Sequence, residues 1–359
     1  MTVAELSDLF VWSAATALTI ALVAYAMDLA RASEAARAAR QAVATTSAVG
    51  GRAGTTTLDA APAAVTAAVT AADAVPGSEA SGDAGPARRA RSTGIARSTL
   101  VLGTLLLGVA IVLRGIAAGR WPTANMYEFA VVGTFCATAT LVWVQRRRAI
   151  AFVGVVVTGI AVLALVLALN TLHVQADALQ PALQNYWLVI HVGVAILATG
   201  IFTVGFAVTV LQLLRDARAA GRSHLTTPWR YADGLRAPLV RWRVTGPAFA
   251  WLEQVPDARR LEATSFRLHA VGFVLWTFTL IGGAIWAEEA WGRYWGWDPK
   301  EVGTFVAWVI YAAYLHARTT RGWSGRRAAY IVFVGYAAVI ANFTVVNLFV
   351  DGKHSYSGL

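Results

Sequence analysis

Eight apolar runs, 8–30, 98–118, 126–145, 149–171, 186–214, 267–287, 301–318 and 328–350, take up about half of this 359-residue chain. A helix needs about 20 mostly apolar residues to cross the roughly 30 Å hydrocarbon core of a bilayer, and each run approaches or exceeds that length. The chain is 57% hydrophobic and 14% charged, against about 25% charged in ordinary soluble domains, so the runs read as spans. Nothing has the alternating rhythm of barrel strands. The expected fold is all-α: a polytopic membrane helix bundle of about eight transmembrane helices. The first run is too long for a signal-peptide core and lacks a basic stretch before it, so it reads as a retained helix.

The formal net charge of +10 is unevenly placed. The loops after spans one, three, five and seven are arginine-rich, with Arg146, Arg147 and Arg148 the densest run. The alternate loops and the tail hold few basic residues: Arg120, Arg293, Lys300 and Lys353. The positive-inside rule makes the basic loops cytoplasmic and both termini extracytoplasmic. Topology thus accounts for the basicity without nucleic acid. The segments expected are a first transmembrane helix (1–30), a disordered Ala/Arg-rich cytoplasmic insert with helical character near 31–45 (31–97), helices two to five (98–214), a basic cytoplasmic loop (215–265), and helices six to eight with an aromatic loop at 288–300 and a histidine-bearing tail (266–359). The insert has too few large apolar residues to offset its ordering entropy. The basic loop, with Trp229, Trp242 and Trp251 among arginines, suits a helix or hairpin on the membrane surface. Cys136 is the one cysteine, which excludes an internal disulfide or a CxxC pair; it reads as a small packing residue.

Chemistry concentrates in "WGRYWGWDPKE", residues 291–301. Asp298, Pro299 and Glu301 spell a helix start: N-cap, first-turn proline, and a glutamate three residues after the cap. Trp291, Tyr294, Trp295 and Trp297 have an ordinary reading as interfacial belt aromatics. Belt residues are scattered, however, whereas these crowd one loop in which Gly292 and Gly296 admit close approach. Clustered ring faces suit a large, flat, apolar ligand; a porphyrin is the obvious candidate and would also want axial histidines. His191, near the outer mouth of span five, and His354, just beyond span eight, fall at the level of this loop. His316 lies 15 residues past Glu301, about 22 Å deeper at 1.5 Å per residue, and cannot join them; as an ionisable residue within a span it is a functional candidate on its own. His269 reads as interfacial at the inner start of span six, His173 as a weaker ligand candidate, and His224 as solvated. Glu128, Glu288 and Glu289 are outer carboxylates without an assigned role.

"AIWAEEAWGRYWGWDPKEVGTFVAWVIYAAYLHAR" resembles the tryptophan-rich segment of the WWD heme-handling family, in the form found in the CcsA/ResC branch of system II cytochrome c biogenesis. "WPTANMYEF", "ALQNYWLVIHVGVAIL" and "VVNLFVDGKHSY" resemble that branch's other outer motifs, in the right order over residues 98–359. The resemblance implies a subunit of a holocytochrome c synthase that conveys heme b, bound non-covalently as substrate, and presents it on the outer face of the plasma membrane. It implies His191 and His354 as axial ligands, with Trp291, Tyr294, Trp295, Trp297 and Asp298 around the porphyrin. It matches His316 to a second heme site shared with a CcsB/ResB-type partner. Apocytochrome c, thiol-reducing thioredoxin-like proteins and membrane lipid are the other implied partners. The histidine of an apocytochrome CxxCH segment would displace one axial ligand while its thiols add to the vinyl groups. The 31–97 insert and the short tail after His354 depart from the family pattern. Two alternatives stay open: a heme transporter or chaperone without ligation activity, and a b-type membrane cytochrome, which would favour histidine pairs on facing helices at two depths.

Overall fold

The computed structural model describes residues 1–50, 84–146, 150–176, 185–229, 231–320 and 322–354. It is all-helical among these, a bundle of eight long helices: α1 (Val3–Gly50), α2 (Ala84–Ala118), α3 (Met126–Val144), α4 (Ala151–Thr171), α5 (Tyr186–Ala219), α6 (Ala258–Trp291), α7 (Pro299–Thr320) and α8 (Arg326–Phe343), with one further turn, α9 (Val345–Phe349). Seven stretches, in every long helix except α7, are long and apolar enough to cross a membrane. The eighth expected span is present as α7, of 22 residues. Its ends carry Lys300, Glu301, His316 and Arg318, which dilute its apolarity.

Helices α1, α2 and α6 overrun their expected ends most. Helix α1 has 48 residues and α6 has 34; beyond their apolar parts both run on through Ala, Arg and Glu, which favour helix wherever no Gly or Pro interrupts. The flanks of the 31–97 insert are therefore helical, as extensions of α1 and α2. The expectation of disorder for the rest of the insert falls on 51–83, outside the described residues. The basic loop is a string of short helical turns, Asp233–Arg236, Ala237–Trp242 and Pro247–Gln254. Trp229 and Trp242 are exposed, whereas Trp251 is buried and stacks on Phe152 of α4 at 5.4 Å.

Among the described residues the core falls into two large clusters and a small third one of Leu188 and Trp286. One large cluster joins α1 to α4 through Leu18, Tyr25, Leu100, Leu107, Leu141 and Leu165. The other large one joins α5 to α8 through Phe202, Trp276, Tyr311 and Tyr336. Helices approach closely where glycine faces a large ring: a Cβ at Gly154 would lie 2.6 Å from Tyr25, and one at Gly272 would lie 2.5 Å from Phe202. Cys136 is half-buried where α3 meets Gly200 of α5. Leu105, Val112, Ile116, Leu163 and Phe278 point outward, as lipid-facing residues must.

At one end of the bundle, Tyr127 donates to Asp8 at 2.9 Å and His173 Nε2 lies 2.9 Å from the same carboxylate. Glu128, at the start of α3, is buried and accepts from Arg114, Arg120 and the Ala124 N–H. Arg114 reaches on to the Val174 carbonyl at 2.6 Å. This carboxylate fixes the 119–125 segment, which forms one wall of the site below.

Candidate heme site

Helix α6 ends at Gly292, whose left-handed φ of 68° supplies the C-cap. Helix α7 starts with the capping box read in the sequence. The Lys300 N–H donates to Asp298 Oδ1 at 3.1 Å, and Glu301 Oε2 accepts from the Asp298 and Gly296 N–H groups at 3.1 and 2.8 Å. These bonds bracket Trp297, held at a φ of 60°, a region that bulky residues rarely enter. The loop is thus pinned to α7 rather than loose.

Two histidines meet across it. On α5, the His191 Nδ1 lies 2.7 Å from the Thr279 carbonyl of α6. Its ring fits only because Gly283 has no side chain: a Cβ there would lie 2.6 Å from Cε1. In the tail, the His354 Nδ1 lies 2.7 Å from Asp298 Oδ1. Burial works against the Asp298 charge, yet the His354 bond, the imidazole's field and the backbone N–H groups of Lys353 and Lys300 outweigh it and hold the carboxyl at about 2. A carbonyl and an ionised carboxylate accept only, so both imidazoles carry hydrogen on Nδ1. In the neutral form of each ring Nε2 then keeps its lone pair, the tautomer a metal requires.

Trp286 lies between them. It is 1% exposed, parallel to the His191 ring at 6.2 Å, and edge-on to His354 at 5.5 Å. Trp291 packs on both Trp286 and His354, at 4.8 and 5.0 Å. The indole N–H of Trp286 is buried with no partner. The two histidines, Lys300, Thr279 and Thr304 line two adjoining cavities of about 140 and 40 Å³. The larger is closed by Trp286 and by 123–126 of the segment that Glu128 fixes. Lys300 Nζ spans the floor to the Asn342 carbonyl and Asn347 Oδ1, at 2.7 and 2.8 Å.

Not every expected residue gathers here. Trp295 and Tyr294 line the smaller cavity, Tyr294 being 63% exposed, whereas Trp297 lines neither cavity and is 75% exposed. His316 is exposed on α7, away from both cavities. His269 corrects an expectation: it is fully buried rather than interfacial, because α6 begins at Ala258 and carries it inside. Its Nδ1 bonds the Ser265 carbonyl at 2.8 Å and its Nε2 has no partner. Sequence reasoning missed Trp286, which sits within the apolar run; the "IGGAIW" glycine pair was the available signal of a close packing against α6.

The residues suit an iron macrocycle. No group of three or more His, Cys, Asp or Glu gathers to hold a bare ion among the described residues. Two imidazoles with free Nε2 atoms, flat rings and an unpaired indole N–H instead suit a metal that brings its own equatorial ligands. Ligand pockets run to about 300–1,000 Å³, so such a ring exceeds the closed volume here and would extend into the mouth.

A family model described as Cytochrome C assembly protein matches residues 120–354. The cytochrome c biogenesis protein CcsA of Synechococcus sp. (strain CC9902) is 34% identical over 270 residues, covering 73% of this chain and 86% of the relative. That of Parasynechococcus marenigrum (strain WH8102) is 35% identical over 269 residues, covering 74% and 87%. Among solved structures, a cytochrome c heme lyase CcmF superposes with a TM-score of 0.53 at 16% identity. That likeness concerns the fold alone: it covers 96% of this chain, which spans about half of the larger protein. The chain belongs to the cytochrome c assembly protein family and serves in cytochrome c maturation.

Proposed function

We propose that this chain is the heme-handling subunit of a system II cytochrome c synthase, holding heme between His191 and His354 for attachment to apocytochrome c. The observation that carries the reading is the matched pair of imidazoles, each tied through Nδ1 to an oxygen acceptor and each lining the same two cavities. Heme, when bound, supplies the iron and the vinyl groups that receive the thiols. The chain's own residues orient it. Thr279 and Asp298 fix the two tautomers, Trp286 and Trp291 wall the rings, and Glu128 holds the segment that covers them. Reach and orientation are the main contribution to rate.

The arginine asymmetry supports a reading in which this end of the bundle, with both termini, faces outward from the plasma membrane. Exposed His316 on α7 is available to a CcsB/ResB-type partner for a second, deeper heme site. A heme chaperone without ligation activity uses the same site but yields no covalent product when partner and apocytochrome are supplied.

The test is the heme spectrum of the chain purified alone and with that partner, repeated for His191→Ala, His354→Ala and His316→Ala. Each outer variant should lose the two-imidazole signature, and His316→Ala only part of the heme. Unchanged heme content and spectrum in both outer variants would reject the site.

A further inference from the structure

His191 and His354 are held in very different ways. His191 belongs to a 34-residue helix packed lengthwise on another, with its ring confined between Gly283, the Thr279 carbonyl and Trp286. Moving it means displacing α5 against α6. His354 follows the five-residue α9 and a non-helical stretch, 350–353, of exposed residues. Past Val350, whose N–H bonds back to the Val346 carbonyl at 3.3 Å, Asp298 holds the tail at two points: Oδ1 receives the His354 ring at 2.7 Å, and Oδ2 receives the Lys353 N–H at 2.6 Å. Gly352 permits the approach, since a Cβ there would lie 2.7 Å from Oδ2.

On the ligand reading above, we infer that His354 is the exchangeable axial ligand, His191 the permanent one, and Asp298 the positioning residue that sets how readily His354 lets go. The substitution balances simply. One nitrogen–iron bond breaks, the incoming imidazole forms another through its own Nε2 lone pair, and no electron is transferred. Asp298 therefore has two tasks. Its helix cap shapes the aromatic loop, and its free acceptor capacity latches the tail. Asparagine caps a helix as well as aspartate does, but its amide nitrogen cannot accept, so Asp298→Asn keeps the cap and breaks one latch bond.

Carbon monoxide binding to the reduced, heme-loaded complex of the full chain with its partner reads ligand release directly, because a six-coordinate iron binds it only after one imidazole leaves. Asp298→Asn should speed that binding about tenfold, the effect of losing one charge-assisted hydrogen bond. Added imidazole should restore the two-imidazole spectrum in His354→Gly but not in His191→Gly. In the heme-free chain, Asp298→Asn should hasten amide exchange at Lys353 and leave the start of α5 unchanged. Unaltered carbon monoxide kinetics in Asp298→Asn, or imidazole rescue of His191→Gly alone, would overturn the assignment. A wild-type complex whose spectrum lacks two axial imidazoles would overturn the ligand reading itself, and the assignment with it.

Discussion

Two adjacent glycines on α6 make a sharp test of the His191 seat. A Cβ added at Gly283 would lie 2.6 Å from His191 Cε1 and 2.9 Å from Nδ1; one added at Gly282 would meet its nearest atom, His191 Cβ, at 3.6 Å, an ordinary contact. In Gly283→Ala the imidazole must retreat by most of an ångström, which breaks its 2.7 Å bond to the Thr279 carbonyl. The bond contributes about 0.5–1.5 kcal/mol and overpacking costs about 1–3 kcal/mol; set against up to about 1 kcal/mol of regained helix propensity, the variant should lose about 0.5–3.5 kcal/mol. It should also lose the tautomer control that leaves Nε2 unprotonated. Gly282→Ala meets no obstacle and regains helix propensity worth up to about 1 kcal/mol. Thermal unfolding in detergent and heme content per chain, measured on both variants, separate the two sites. Equal unfolding temperatures and equal heme loading in the pair would refute the reasoning, since helix propensity alone treats the positions alike.

The bundle was legible because hydropathy acts over twenty residues at a time and tolerates errors at the ends. The ends themselves were not. Where α1 and α6 leave the apolar zone, helix continues on alanine and arginine propensity, which no hydropathy boundary marks, and the burial of His269 follows from that one misplaced start. At the site, the histidines and the loop stood out because their chemistry is rare in a chain of Leu, Val and Ala. Trp286 did not, because an indole inside a span looks like lipid-facing bulk until its neighbour across α5 is known. Asp298 shows the division within one residue. The cap is local and readable from "DPKE", whereas the latch joins positions more than fifty residues apart, and only packing brings them together.

The remaining predictions concern buried polar groups. Glu128→Ala leaves Arg114 and Arg120 buried against a lost counter-charge, side chains 4% and 12% exposed. It should destabilise by about 3–5 kcal/mol and loosen the 119–125 wall, seen as new protease cleavage there; an unfolding temperature near wild type would sink the idea that this carboxylate holds the wall. His269 offers the opposite case. Its Nε2 is buried without a partner and its Nδ1 bonds a helix carbonyl that the helix ladder already engages. A buried unmade bond costs about 1–3 kcal/mol, so His269→Leu, which removes the orphan while filling the site between Phe202 and Tyr311, should be neutral or stabilising in thermal unfolding. A loss above about 2 kcal/mol would mean that the imidazole does have a partner in the folded protein. The neighbouring Tyr311 hydroxyl, also buried without one, would make a bound water bridging the two rings the first place to look.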